Sequence, residues 1–206
     1  MSQNLTDLNK SYSQNDEQDY ILNYFQNSTP GKFLDIGGFD PVLLSNTRCL
    51  VERDWAGVYV EPSPLCMETF RKLYWDNPNI DLVERAVALQ EGEMDFFESG
   101  GDAVSTFDIK HRNKWAHKVE YKTIRVQTIT MGNLLKSYGH GVTFLSLDVE
   151  GLNYSLFLEI PPYFWDQLKM VVIEHDNFHQ EMTRILSGFG FSKLAQNAEN
   201  IILAKI

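Results

Sequence analysis

The chain has 206 residues, 43% of them hydrophobic, and a formal net charge of −10. That apolar content supports a sizeable core, while the acidic balance disfavours a protein-wide attraction to nucleic acid or anionic lipid. No apolar run nears the ~20 residues that cross a bilayer, and the polar start MSQNLTDLNKSYSQNDEQ has no apolar signal core.

Residues 1–11 are expected to be a flexible N-terminus and 12–206 a single domain. Asn15-Asp16-Glu17-Gln18 reads as a helix start, and Glu17, Ile21, Tyr24 and Phe25 share one face, so a helix to about Gln26 is expected. Pro30-Gly31 ends it, and Lys32 to Ile36 reads as a first strand. Leu44, Thr47, Val51 and Trp55 recur at helical spacing. Gly57 to Glu61 is a second strand, stopped by Pro62, and Cys66, Phe70, Leu73 and Tyr74 mark a second helix. Asp81 to Leu89 reads as a third strand and Met94 to Glu98 as a short extra one.

Residues 99–119 are irregular, and Lys122 to Ile129 alternates like an edge strand. Thr130 caps a helix bearing Met131, Leu134, Leu135 and Tyr138. Thr143 to Asp148 and Lys169 to Glu174 are the fourth and fifth core strands. Phe178, Met182, Ile185, Leu186 and Phe189 make an amphipathic helix closed by Gly190. Phe191 to Ala195 and Asn200 to Ile206 form a final hairpin. Cys49 and Cys66 fit neither a disulfide framework nor a metal motif, so they are expected to be buried thiols of a cytoplasmic protein.

Alternating strands and helices imply an α/β fold with a mostly parallel sheet, helices on both faces and an antiparallel strand from the terminal hairpin. Right-handed crossovers then gather the carboxyl-end loops on one rim, where such sheets bind ligands. Asp35, Glu61 and Asp148 all end strands there. Glu61, about 25 residues beyond Asp35, suits the hydroxyls of a ribose. The stretch FLDIGGFDP (Phe33 to Pro41) lacks the third glycine of a dinucleotide fingerprint, and Asp40 would repel a pyrophosphate. A sulfonium with an ammonium group suits an acidic surround, which favours S-adenosylmethionine over NAD. A tight strand–helix turn is the plain alternative for Gly37 and Gly38.

Five segments in order carry a resemblance: DIGGFDP-x3-SNT (Asp35 to Thr47), W-x-G-V-Y-V-E-P-S-P (Trp55 to Pro64), FLSLDVEG (Phe144 to Gly151), the upstream Tyr12 to Glu17, and Val126 to Ile129. Together, over about residues 12–206, they resemble the FkbM-type methyltransferases. The resemblance implies the class I methyltransferase fold, a Rossmann-like seven-stranded sheet, and O-methylation of a hydroxyl on a sugar, nucleotide sugar or glycosylated small molecule. It places Asp35, Gly37 and Gly38 beneath the methionine part of S-adenosylmethionine, and Glu61 with Pro62 at the ribose. Arg85 and Ala86 would border the adenine, and Leu147 and Asp148 would face the amino group. Gln14, Ser45 and Asn46 would reach the carboxylate. The family often has a further acid after DVEG, where this chain has Leu152-Asn153.

Methyl transfer needs an aligned acceptor oxygen and a place for its proton. Asp148, Glu150 and His175 are the candidate bases, with His179 an alternative. Asp148 with Asp176 and Asn177 repeats, by fold analogy, the order of donors in magnesium-dependent catechol-type O-methyltransferases, and hard oxygen ligands suit Mg²⁺. Asp176 and Asn177 could equally cap the next helix. His175-x3-His179 has zinc-pair spacing without a third ligand. Lys110 to Lys118 is basic within an acidic chain. It is either a solvated helix face or a lid for an anionic acceptor, with Trp115 stacking on a sugar. Pro161 to Trp165 reads as a hydrophobic wall or core packing. The partner expected is a small-molecule or carbohydrate acceptor, with self-association left open. Two rival functions are a nucleotide-binding oxidoreductase and an S-adenosylmethionine-binding module without turnover.

Overall fold

The computed structural model describes residues 11–206, so the flexible start expected for residues 1–11 lies almost wholly outside the described residues. In chain order the elements are α1 (Glu17–Phe25), β1 (Lys32–Ile36), α2 (Arg48–Val51), β2 (Ala56–Val60), α3 (Pro64–Tyr74), β3 (Ile80–Val83), β4 (Ala86–Ala88), β5 (Gly92–Glu98), α4 (Ile109–Trp115), β6 (Lys122–Thr130), α5 (Met131–Tyr138), β7 (Val142–Leu147), α6 (Asn153–Leu158), α7 (Pro162–Gln167), β8 (Met170–Glu174), α8 (His179–Ser187), β9 (Phe191–Gln196) and β10 (Asn200–Lys205). A seven-stranded sheet runs β3-β2-β1-β7-β8-β10-β9. β10 lies antiparallel to both its neighbours, and the β3 to β8 pairings are parallel. The doubly wound sheet with its antiparallel hairpin strand is thus the one expected.

Period-two alternation divides the core between the two faces. Leu34, Ile36, Val58, Leu145 and Leu147 pack on one side beneath α5, α6 and α8. Phe33, Tyr59 and Phe144 pack on the other with Phe25, Trp55 and Phe70. That second face is aromatic, and Phe33 meets Tyr59 edge-on at 5.1 Å. Gly57 is required there, because a Cβ would lie 1.9 Å from the Phe33 ring. The strand order reverses between the parallel β1 and β7, which is where the rim opens.

Several elements differ from the sequence reading. The helix expected from Leu44 to Trp55 shrinks to Arg48–Val51. Asp40 Oδ1 accepts both the Val42 and Leu43 amides, and Leu44 sits at φ 58°, so the chain cannot coil earlier. The third strand breaks at Glu84-Arg85, and its second half, β4, joins a separate sheet of order β4-β6-β5. β6 is therefore central in that sheet and not an edge. The irregular stretch contains α4, whose first turn is capped by Asp108 accepting from the Lys110 amide. Thr130 caps α5 as expected. Phe164 and Trp165 of the aromatic run are buried in the core. Cys49 and Cys66 are buried free thiols, and burial pushes each up to about 12. Among the described residues no helix is long and apolar enough to cross a membrane.

Candidate functional site

The rim begins at β1. Asp35 shares a face with Phe33 and is buried. Its Oδ2 accepts from Thr47 Oγ1 at 2.6 Å, and that hydroxyl also lies 3.0 Å from Tyr59 Oη. Burial raises the Asp35 carboxyl to about 7, against the Thr47 and Ser146 hydrogen bonds that lower it and the Asp148 charge that adds to the rise. Gly37 follows at φ 86°, and a Cβ there would lie 1.5 Å from the Asp148 carbonyl oxygen. The glycine is thus demanded first by the approach of the β1 and β7 exits to each other. Around these residues lies a polar cavity of about 510 Å³ lined by Gln14, Asp35, Gly37, Gly38, Ser45, Asn46, Ser146, Asp148 and Glu150 among others. Asn46 Nδ2 reaches Ser146 Oγ at 3.3 Å.

The β2 exit supplies Glu61. It is 6% exposed, and each of its oxygens takes a backbone amide: Oε2 from Phe39 at 3.0 Å, Oε1 from Ser63 at 2.8 Å. Burial raises it to about 7, against those amides. Each oxygen keeps a lone pair for a further donor. Ser63 Oγ, the N-cap of α3, donates to the buried Glu98 at 2.6 Å. A second cavity of about 550 Å³ opens here, lined by Glu61, Pro62, Arg85 and Ala86, by the apolar Val60, Val87, Phe96 and Phe107, and by Asp148 and Glu150. The two cavities share Gly37, Phe39, Ala103, Asp148 and Glu150.

At the shared wall three carboxylates converge. Asp148, Glu150 and Glu174 each offer an oxygen within 4.8 Å of the others. Glu150 sits at φ 55° and Gly151 at φ 99°, so the turn after β7 is a left-handed pair. Burial, and then the charge of Asp148, raises Glu150 to about 9 and Glu174 to about 10. Burial also raises Asp148, which a hydrogen bond from Glu174 opposes. Of the three, Glu174 lies beside Asp148 in the strand register, and burial with the neighbouring charges favours its neutral form. Asp148 Oδ1 is left buried without a partner. Asn153, fully buried, braces the turn: its Oδ1 accepts the Val149 amide at 2.8 Å and its Nδ2 donates to Glu174. α4 covers this corner. His111 Nε2 lies 3.0 Å from Glu150 Oε2, but off the line of a hydrogen bond. Thr106 Oγ1 donates to the Glu150 carbonyl at 2.7 Å.

Nearly all the residues named from sequence for the cofactor line one cavity or the other. Leu147 does not: its side chain is fully buried in the core. His175 lines neither cavity; its Nδ1 accepts the Asn177 amide at 3.1 Å and its Nε2 faces the Asn197 carbonyl at 3.4 Å. Asp176 and Asn177 are left-handed at φ 46° and 67°, and neither caps α8, whose N-cap is Phe178 without a side-chain bond. The structure brings together a carboxylate set of Asp148, Glu150 and Glu174, and the charge of Asp176 also acts on Asp148. His179 packs on His175 with ring centroids 5.1 Å apart, and no third zinc ligand joins them among the described residues. Glu174 and Asn153 were missed. The strand register held the signal for Glu174: Leu147 pairs Ile173, so the next residues along, Asp148 and Glu174, emerge side by side.

The model of the methyltransferase FkbM domain matches residues 35–193. The methyltransferase FkbM of Methylobacillus flagellatus aligns in structure with a TM-score of 0.51 and 11% identity, over 85% of this chain and 43% of that one. The fibrillarin pre-rRNA processing protein of Methanococcus jannaschii aligns with a TM-score of 0.43 and 13% identity, over 93% of this chain and 76% of that one. No curated protein matches the chain in sequence.

Proposed function

The chain belongs to the methyltransferase FkbM family, and from that premise we propose an S-adenosylmethionine-dependent O-methyltransferase acting on a hydroxyl of a sugar, nucleotide sugar or glycosylated small molecule. The observation that carries the reading is Asp148: it lines both cavities and keeps one carboxylate oxygen buried and unpartnered.

The residues fit the cofactor. The polar cavity offers Asp35 and Asp148 to an ammonium group and the amides and hydroxyl of Gln14, Asn46 and Ser45 to a carboxylate. The second offers Glu61 to ribose hydroxyls and apolar walls to a base. Bound there, S-adenosylmethionine supplies a methyl group on positive sulfur. The protein's part is alignment and proton removal. Asp148 takes the proton of the acceptor hydroxyl at its free Oδ1, and its raised carboxyl brings it nearer to neutral pH, where a general base works best. Glu174, beside Asp148 in the strand register and steadied by Asn153, supports the base in place. α4 carries Lys110, Arg112 and Lys114, of which Lys114 acts on Glu150 at the acidic corner, and Trp115 is flanked by Lys114 and Lys118 at 5.3 and 5.1 Å, which favours an anionic sugar derivative as acceptor.

Isothermal titration with S-adenosylhomocysteine, followed by a methyl-transfer screen over nucleotide sugars and sugar phosphates, tests the reading. Asp148→Asn should cost about 10²- to 10⁴-fold in turnover, the range of a lost general base. An Asp148→Asn enzyme as fast as wild type would remove Asp148 from this role. A second reading, with Mg²⁺ held by Asp148, Glu150 and Glu174, is favoured by the spacing of their oxygens. EDTA followed by restored Mg²⁺ decides it: activity lost and recovered supports the metal, and activity indifferent to both leaves the carboxylate alone as base.

A further inference from the structure

Glu17 opens α1, yet its side chain is fully buried. A carboxylate out of water needs partners, and here they are all amide N–H donors. Oε1 accepts from Asn197 Nδ2 at 2.7 Å, Asn200 Nδ2 at 2.9 Å and Asn15 Nδ2 at 3.3 Å, and Oε2 accepts the Asn15 backbone amide at 2.9 Å. Burial alone would raise the carboxyl, but its own backbone N–H, together with the Asn200, Asn197 and Asn15 donors, outweighs it and holds the group below the usual glutamate value. Asn197 Oδ1 in turn accepts the Glu199 and Asn200 amides, so the β9–β10 turn is tied to the same centre.

The other end of the connection is the polar cavity. Asn15 follows Gln14, which lines it. The segment before α1 is cross-braced along its length: Tyr12 Oη donates to Glu52 at 2.6 Å, the Tyr12 amide to Gln18 Oε1 at 3.0 Å, and Ser13 Oγ to the Asn15 carbonyl at 3.0 Å. The strap thus runs from beside α2 to the β9–β10 turn and passes the cavity at Gln14.

We propose that Glu17 is a positioning residue for the cofactor: by clamping Asn15 to the β9–β10 turn it seats Gln14 in the cavity wall. This rests on reading that cavity as the S-adenosylmethionine site. Glu17→Gln tests it, because an amide group facing the Asn15 N–H sets donor against donor while leaving size unchanged. Its Kd for S-adenosylhomocysteine should rise about ten-fold, the scale of one charge-assisted hydrogen bond. In a double-mutant cycle, Glu17→Gln should add little to the loss from Gln14→Ala, since both act through one contact. Glu17→Asp, which keeps the charge, is a second variant and should bind between the two. An unchanged Kd, or losses that multiply independently, would overturn the proposal. Hydrogen exchange in ligand-free protein separates its two parts: the Ser13 to Asn15 amides should exchange faster in Glu17→Gln, and unchanged exchange rejects the clamp whatever the ligand. Wild-type protein giving no heat with S-adenosylhomocysteine would reject the cavity's assignment, and the role of Glu17 with it.

Discussion

Residue 37 is the tightest point of the site. It holds φ 86°, and its Cα faces the carbonyl of Asp148 so closely that any Cβ would overlap it. Gly37 also donates to the Val60 carbonyl at 2.9 Å, so the β1, β2 and β7 exits meet at this one residue. Alanine must either push the β7 exit away or leave the left-handed region, and both displace Asp148. Gly37→Ala should therefore lower stability by about 2 kcal/mol or more, within the range for strained or overpacked sites, and abolish S-adenosylhomocysteine binding. Urea unfolding and titration check the two parts. A variant that folds and binds as wild type would mean that the β1 and β7 exits are free to separate. Gly38 is a milder case: a Cβ there would touch the Phe70 ring at 3.0 Å, a side chain that can yield.

At the scale of elements, the strands and their acids were the most legible part. A short apolar run closed by Asp35, Glu61 or Asp148 can be read directly, because strand burial and rim exposure switch within one residue. The cofactor residues followed from that pattern and from the family motifs. What could not be read were features fixed by distant partners. The third strand divides because β4 finds β6 some forty residues later, and no local signal marks Glu84-Arg85 as a change of sheet. Glu174 joins the site through register with β7, whereas in the sequence the more polar His175, Asp176 and Asn177 beyond it carry the stronger local signal. His175 faces the β9–β10 turn, a neighbour invisible to local spacing.

α4 was the other element lost to local reading, since it has no buried residue to give a helical stripe. It rests on the rim by side-chain contacts: Asp108 and His111 lie over Gly151, and His111 reaches Glu150. A helix held so lightly depends on its cap. Asp108→Ala removes the bond to the Lys110 amide and should cost the helix about 1 kcal/mol. The expected result is faster amide exchange confined to α4, with S-adenosylhomocysteine affinity nearly unchanged and a raised KM for the acceptor. A loss of global stability instead would show that α4 is a structural strut, not a cover for the acceptor.

The whole molecule carries a net charge of −10, and part of that charge is confined in a rim that the fold has dried. Asp35 and Glu61 titrate near 7 in the folded chain, against ordinary values of 3.8 and 4.5. Between those limits the native state binds more protons than the unfolded chain, so these two groups make stability decline as pH rises from about 4 through about 7, and Glu150 and Glu174, raised to about 9 and about 10, extend the decline above it. With shifts of this size the part of the decline due to Asp35 and Glu61 is on the order of 8 kcal/mol. Thermal unfolding of ligand-free protein should show Tm falling across this window, and Asp35→Asn with Glu61→Gln should flatten the curve. The ligand's ammonium group reverses the balance, because it favours the ionised acids it meets. S-adenosylhomocysteine should raise Tm more at pH 8 than at pH 5, and calorimetry near pH 6 in buffers of different ionisation enthalpy should show net proton release on binding. Proton uptake, or a ligand-free Tm that rises from pH 4 to 7, would mean that these carboxylates are ionised before the ligand arrives and that the rim is wetter than its burial indicates.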